Sequence, residues 1–480
     1  MYLFYILFII TPLKCVKVGK MSGDFFQTRK IDKFNDKCAV CGVYGVEEAA
    51  KLVYLCLFAL QHRGQEGSGI ASYDGKNIIF DKGVGLVNEI FKADDLERLK
   101  GSLAIGHNRY STIGESHLKN VQPIVADVNL GQIALSHNGN LVNGYELKRK
   151  LVKKGAIFTS TADSEVLMHL MAIEGGKTDS LKEALINALR QLKGAFSVVL
   201  MSKDKLIGIR DIYGFRPLVL GSLKNGFVLA SETVALDLID AKFMREINPG
   251  EVVIIDKNGI ESFFLFENQN PRFCVFEYIY FARPDSFVFN NYVYDIRKLF
   301  GKKLADQNNT FADIVVPVPD SGIIAALGYS EASKIPMEMG IIRNHYIGRT
   351  FIEPTNAIRH FGVKLKLNAI KSVIQNKSII VIDDSIVRGT TSRKIIKMLK
   401  NIGAKDIHMR ISSPPVKFPC LYGIDTPNRK ELIAATHSID EIRRYLGANT
   451  LEYLRMENLY ECVNPGQFCD ACFTGNYPIL

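Results

Sequence analysis

No stretch of this 480-residue chain is apolar for long enough to cross a membrane. The apolar opening, Met1 to Leu13, is broken at Thr11-Pro12. It falls well short of the about 20 apolar residues a spanning helix needs. It also lacks a charged start, so it makes a poor secretory signal, and Met21 is a second possible initiator. The chain has no internal repeat and no low-complexity tract. It has no G-x-x-x-x-G-K-S/T: ahead of Gly175-Gly176-Lys177-Thr178, Met171 stands where the first Gly belongs. Gly83 and Gly85 begin a G-x-G, but Asn88 replaces the third Gly. The formal charge of +10 is scattered, apart from short groups such as KRKLVKK at 148–154. That gives nucleic acid little to hold and suits phosphorylated small substrates better. Nine cysteines, an odd count in a long chain, argue against a disulfide framework and for reduced thiols in the cytoplasm.

What is present is ordinary globular composition, 47% hydrophobic and 23% charged, with length for two or three domains. The most informative stretch is IIVIDDSIVRGTTS, Ile379 to Ser392. Its four leading apolar residues predict a strand buried on both faces. The strand ends in Asp383 and Asp384. Ser385, Arg388, Gly389, Thr390 and Thr391 follow, and Ile395, Ile396 and Leu399 then form a helical stripe that Gly403 stops. A small polar loop at a helix N-terminus offers N–H groups and a positive dipole end to an anion. Two carboxylates beside it suit sugar hydroxyls or a Mg²⁺ that accompanies a phosphate.

Residues 42–267 mix helical stretches, of which EEAAKLVYLCLFALQHRG is the first, with many short strands that end in Gly or polar turns. Helices over antiparallel sheets are expected there, with Cys56 as plain core. NQNPRF at 268–273 reads as a linker. Beyond it strands and helices alternate, predicting α/β structure with a parallel sheet and ligands at the strands' C-terminal ends. ADIVVPVPD is one such strand, ending at Asp320-Ser321-Gly322. The basic connection that follows carries Arg343, Arg349, Arg359, Lys364 and Lys366, and suits a lid that closes over pyrophosphate.

VIDDSIVRGTTS resembles the phosphoribosyl-pyrophosphate (PRPP) loop of type I phosphoribosyltransferases. Its wording is close to that of the amidophosphoribosyltransferases, which open purine synthesis. The family has RTFI before a mobile loop, as at 349–352 here, and an Arg where this chain has Lys364. The N-terminal half resembles the glutaminase of class II amidotransferases. CGVYG at 41–45, QHRGQEG at 61–67, GHNRYST at 106–112, HNGN at 137–140 and TADSE at 161–165 follow in that family's order.

The resemblance implies an α+β N-terminal-nucleophile glutaminase domain of αββα layering, then an α/β type I phosphoribosyltransferase domain. The expected bounds are a leader over 1–40, then 41–272 and 273–480. It implies Cys41 as nucleophile, its freed α-amino group acting as base. Cys38, three residues upstream, is set aside because Ala39 rather than Gly follows it. Arg109 and Asp163 would grip glutamine, and Asn138 and Gly139 would hold the oxyanion. Arg63 is a weaker candidate for a site or structural role. PRPP would meet Asp383, Asp384, Ser385, Arg388, Gly389, Thr390 and Thr391, with Mg²⁺ on Ser321, Asp383 and Asp384.

Two C-x₂-C pairs, Cys38/Cys41 and Cys469/Cys472, would alone suggest zinc. The resemblance partitions them differently, giving Cys274, Cys420, Cys469 and Cys472 to a 4Fe–4S cluster and leaving Cys462 aside. It further implies a homotetramer inhibited by purine nucleotides, with neither nucleic acid nor membrane as partner. The rivals are another class II amidotransferase acting on a sugar phosphate, and a nucleotide-sensing regulator of phosphoribosyltransferase fold.

Overall fold

Alternation along the strand Ala39–Tyr44 sets the layering of the N-terminal half. Side chains on a strand point alternately to its two faces. Ala39, Cys41 and Val43 share a core with Val53, Cys56 and Leu57 of the helix Ala49–Ala59. Val40 points the other way, into a layer with Ile105, Val199, Leu206 and Leu229. The computed structural model describes residues 38–110, 118–265, 270–307, 309–344 and 367–480, all within one compact unit, Ile31–Leu480.

Ala39–Tyr44 is central in a seven-stranded antiparallel sheet, between Leu103–Arg109 and Gly226–Ala230. A six-stranded antiparallel sheet packs on its inner face and includes Gly131–Leu141, Gly194–Ser202 and Lys205–Arg210. The helices Gly144–Lys153, Ser164–Gly175 and Leu181–Leu189 cover the outer face of that second sheet. The order is helix, sheet, sheet, helix, as expected. The expected start at Cys41 is corrected: Ala39 and Val40 are fully buried and paired with Asn108 and His107, so a boundary before Cys41 would cut through a strand. The rest of the leader, residues 1–37, lies outside the described residues.

In the C-terminal half the pairing turns parallel. Four strands run in the order Ile314–Pro317, Ser378–Asp383, Asp406–Ile411 and Thr450–Tyr453. Ile380 and Ile382 face a core with the helices Val293–Asp306 and Ile323–Ser333. Ile379 and Val381 face one with Thr390–Asn401 and Ile439–Leu446. This is the two-sided burial that the run of four apolar residues predicts. Arg349, Arg359, Lys364 and Lys366 of the expected lid lie outside the described residues. Among the described residues no helix is long and apolar enough to cross a membrane.

Candidate functional site

The structure puts Cys41 in the wrong place for a nucleophile. Its side chain shares the strand face covered by the helix Ala49–Ala59, has no exposed surface, and donates from Sγ to the Val53 carbonyl at 3.7 Å. Burial pushes the Cys41 thiol well above its ordinary value, and the neighbouring Cys56 adds to that. Cys38 lies at the open start of the strand. Ala39 pairs with Asn108, so one residue back Cys38 stands level with Arg109. Its Sγ donates to the Tyr110 carbonyl at 3.6 Å. Burial raises this thiol too, but Arg109 pulls it back down, while Asp163 and Glu66 push it up. The thiol that senses the expected glutamine-binding residues is therefore Cys38.

Those residues converge from three elements. Arg109 ends the strand Leu103–Arg109 and donates from Nη1 to the Asn120 carbonyl at 2.9 Å. Asp163 precedes the helix Ser164–Gly175 and accepts from the Leu141 amide at 2.7 Å. Asn138 and Gly139 lie near the end of Gly131–Leu141, opposite Ser197 and Phe196. Asn138 is 1% exposed, and its Nδ2 has no hydrogen-bond partner among the described residues. A buried amide donor left unsatisfied is costly unless something accepts from it, which is what an oxyanion would do. Gly139 sits at φ +154°, and a Cβ there would come within 1.9 Å of the Ala195 carbonyl oxygen. Only glycine lets the strand pass at this point.

Arg63 is a buried strut. Its Nε donates to the Cys38 carbonyl at 3.3 Å, while Nη1 and Nη2 bind Glu277 at 3.0 Å and Nη1 also binds Glu232. Burial opposes the Arg63 charge, but Glu277 and Glu232 outweigh it and keep it protonated. Burial likewise opposes ionisation of Glu232, and His62 and Arg63 reverse that, holding it well below the usual carboxylate range. Glu277 belongs to the segment after Cys274, so this cluster also joins the two halves. Sequence reasoning missed both glutamates: a lone Glu carries no motif.

The second site forms where the strand Ser378–Asp383 ends. Asp383, Asp384 and Ser385 are all buried. Asp384 accepts from Ser321 Oγ and from Ser385 Oγ, each at 2.6 Å, so the two strand ends that the sequence singled out do meet. Gly389 takes φ +78° and turns the chain into the helix Thr390–Asn401. Arg388 is not turned into the loop: Nε and Nη2 hold Glu431 Oε2 at 3.0 and 2.8 Å. A further cation was not foreseen. Burial pulls Arg297 down to about 10, and Asp384 is the foremost charge pushing it back up. Its Nη2 donates to the Ala282 carbonyl at 2.8 Å.

Cys274, Cys420, Cys469 and Cys472 line one small cavity of about 20 Å³, together with Arg216 and Tyr422. The strands Phe273–Cys274 and Phe468–Cys469 pair in parallel and bring two of the four side by side. Burial pushes the Cys472 thiol well up, and the three other cysteines add to it. Among the described residues no three His, Cys, Asp or Glu side chains gather as the ligands of a single ion. Four thiols around a shared space are soft donors of the type that zinc and iron–sulfur clusters both take. Cys462 does not line this cavity; its Sγ donates to Asn458 O at 3.2 Å.

Comparison with known proteins agrees with both halves. A model of the glutamine amidotransferase domain matches residues 107–238. The protein named Amidophosphoribosyltransferase 1, chloroplastic, of Arabidopsis thaliana is 48% identical over 460 residues, 95% of this chain and 81% of that protein. The amidophosphoribosyltransferase of Bacillus subtilis (strain 168) is 47% identical over 457 residues, 94% of this chain and 95% of that protein. A solved structure of the glutamine PRPP amidotransferase from B. subtilis, complexed with ADP and GMP, matches with a TM-score of 0.88 at 46% identity, covering 92% of this chain and 98% of that one. Likeness of this depth, spanning the glutaminase layers and the parallel sheet alike, means that the chain belongs to the amidophosphoribosyltransferase family.

Proposed function

We propose that this chain makes 5-phosphoribosylamine from PRPP and glutamine, releasing glutamate and pyrophosphate, at the entry to purine synthesis. The nucleophile is Cys38, exposed as the N-terminal residue by removal of residues 1–37. Its α-amino group, with an ordinary pKa of about 7.7–8.0, takes the thiol proton. Arg109 holds the glutamine α-carboxylate and Asp163 its α-ammonium. The thiolate attacks the side-chain amide carbon, and Asn138 Nδ2 and the Gly139 N–H hold the oxyanion. The C–N bond breaks, ammonia leaves with the transferred proton, and water cleaves the thioester to glutamate.

Ammonia passes internally to the parallel-sheet half, forms a bond to C1 of PRPP and displaces pyrophosphate. Asp383, Asp384 and Ser385 orient the ribose, and the Gly389–Thr391 turn with its helix N-terminus holds phosphate. Ser321, Asp383 and Asp384 supply the hard oxygen donors that Mg²⁺ prefers. Bound there, Mg²⁺ supplies positive charge to the departing pyrophosphate. Cys274, Cys420, Cys469 and Cys472 hold a 4Fe–4S cluster, which cross-links segments far apart in sequence.

The observation that carries this reading is the placement of Cys38 beside Arg109 in the same compact unit as the Ser321–Asp384 contact. The test is PRPP-dependent glutamate release, matched one to one by pyrophosphate, with ammonia able to replace glutamine. Glutamate release driven by a sugar phosphate without pyrophosphate would instead mark a transaminating amidotransferase. No glutamine hydrolysis at all would mark a nucleotide-sensing regulator. For the cluster, anaerobic protein should hold about four irons per protomer and lose them in Cys420→Ser; stoichiometric zinc would refute it. Purine nucleotide feedback, supported by the ADP and GMP in the B. subtilis complex, is part of the same proposal. So are a homotetramer and a cytoplasmic location, the latter supported by the free thiols of the described cysteines.

A further inference from the structure

The loop that carries Cys420 does more than line the thiol cavity. Its next three residues reach across to the strand that bears Asn138 and Gly139. Leu421 accepts at its carbonyl from Asn140 Nδ2 at 2.9 Å. Tyr422 accepts at its carbonyl from Arg216, and its ring stacks on Phe215 with centroids 4.3 Å apart. Gly423, at φ +100°, brings bare backbone against Gly139: a Cβ there would lie 2.9 Å from both the carbonyl carbon and the oxygen of Gly139. On its other side Gly139 has the Ala195 carbonyl, which a Cβ would approach to 1.9 Å. The Gly139 peptide is thus clamped between the strand Gly194–Ser202 and a loop from the opposite half of the chain.

We propose that Leu421–Gly423 positions the oxyanion donors of glutamine hydrolysis, so that half the frame of the glutaminase centre comes from the thiol-bearing loop. This rests on the reading of Asn138 and Gly139 as oxyanion donors. Such donors act only when aimed at the oxygen in the transition state, and a shift on the order of 1 Å costs roughly 10²-fold. Asn140, Leu421 and Gly423 take no part in the proposed chemistry and act only through the Asn138–Gly139 segment. They are positioning residues, and their loss falls on kcat rather than on glutamine binding.

The experiment uses the full chain, assayed with glutamine and separately with ammonia. Asn140→Ala removes one contact and leaves the loop intact; Gly423→Ala puts a methyl against Gly139. Each is expected to lower kcat for glutamine hydrolysis by roughly 10- to 100-fold, with the glutamine KM within about 3-fold and ammonia-dependent synthesis within about 2-fold. Should Gly423→Ala not fold, Asn140→Ala decides alone. Unchanged hydrolysis, or equal loss of the ammonia reaction, would overturn the proposal. Asn138→Ala separates the two ideas. If it lowers hydrolysis by about 10²-fold or more while the positioning variants do nothing, the loop's role falls and the oxyanion reading stands. If Asn138→Ala itself leaves hydrolysis unchanged, the oxyanion reading falls and this inference with it.

Discussion

Arg63 binds the carbonyl of Cys38 through Nε and the carboxylate of Glu277 through Nη1 and Nη2, so one buried guanidinium spans the strand start and the second half of the chain. Arg63, Glu232 and Glu277 all have fully buried side chains. Removing the cation leaves two carboxylates without their main partner in low dielectric. Arg63→Met should therefore cost about 3–5 kcal/mol of stability, readable in a denaturant titration. A loss under about 1 kcal/mol would show that water or a rearranged Arg216 takes over the carboxylates.

The thiols make a sharp pair. Cys38→Ala should abolish glutamine-dependent synthesis, by roughly 10⁴-fold or more, and keep synthesis from ammonia. Cys41→Ala removes only a core contact with Val53 and Cys56, so activity should stay within about 3-fold. Mass spectrometry of the active protein should find Cys38 first. An N-terminal Cys41 in active enzyme would restore the reading made from the CGVYG motif.

Asp384 accepts from the Ser321 and Ser385 hydroxyls and faces the charge of Arg297. Asp384→Asn keeps the shape and removes the charge. A charge-assisted contact is worth roughly 1.5–3 kcal/mol, so the PRPP KM should rise about 10- to 100-fold. Basal glutamine hydrolysis, measured without PRPP, should hardly move. Parallel loss of both activities would contradict two separate sites.

His107 should make the fold acid-sensitive. Burial, with Arg109 close by, lowers it from 6.5 to about 3. Between those values the unfolded chain binds a proton that the native His107 refuses. Stability is therefore fully present above pH 6.5 and is lost as pH falls toward 3. The slope from this group is ~1.4 kcal/mol per pH unit. Asp211 acts in the opposite sense: burial raises it to about 6 from 3.8, so its contribution is lost as pH rises through 6. The difference between wild type and His107→Gln isolates what His107 contributes. Equal slopes of unfolding free energy against pH from 6.5 down to 4 would show that the native His107 binds its proton normally.

Much of the frame was legible in the chain because it is local. Ile379–Ile382 had to be a strand buried on both faces, since four consecutive apolar residues cannot all hide on one. Thr390–Asn401 had to be a helix, given the spacing of Ile395, Ile396 and Leu399. Ser321 and Asp384 lie just past the ends of neighbouring strands, and the rule that ligands gather at such ends anticipates their meeting.

What only the tertiary structure decided is which way side chains point and which distant groups they find. Ala39, Cys41 and Val43 share one face by strand periodicity, but nothing in CAVCGVYG says that the helix Ala49–Ala59 covers that face and buries the Cys41 thiol. Arg388 looks like a loop cation until Glu431, forty-three residues on, turns it aside. Cys274, Cys420, Cys469 and Cys472 have no shared spacing, and become neighbours only when their segments pack around one cavity. Sequence determines the local periods, because backbone geometry repeats over a few residues. The site depends on contacts between segments up to hundreds of residues apart, and those exist only once the sheets have closed on one another.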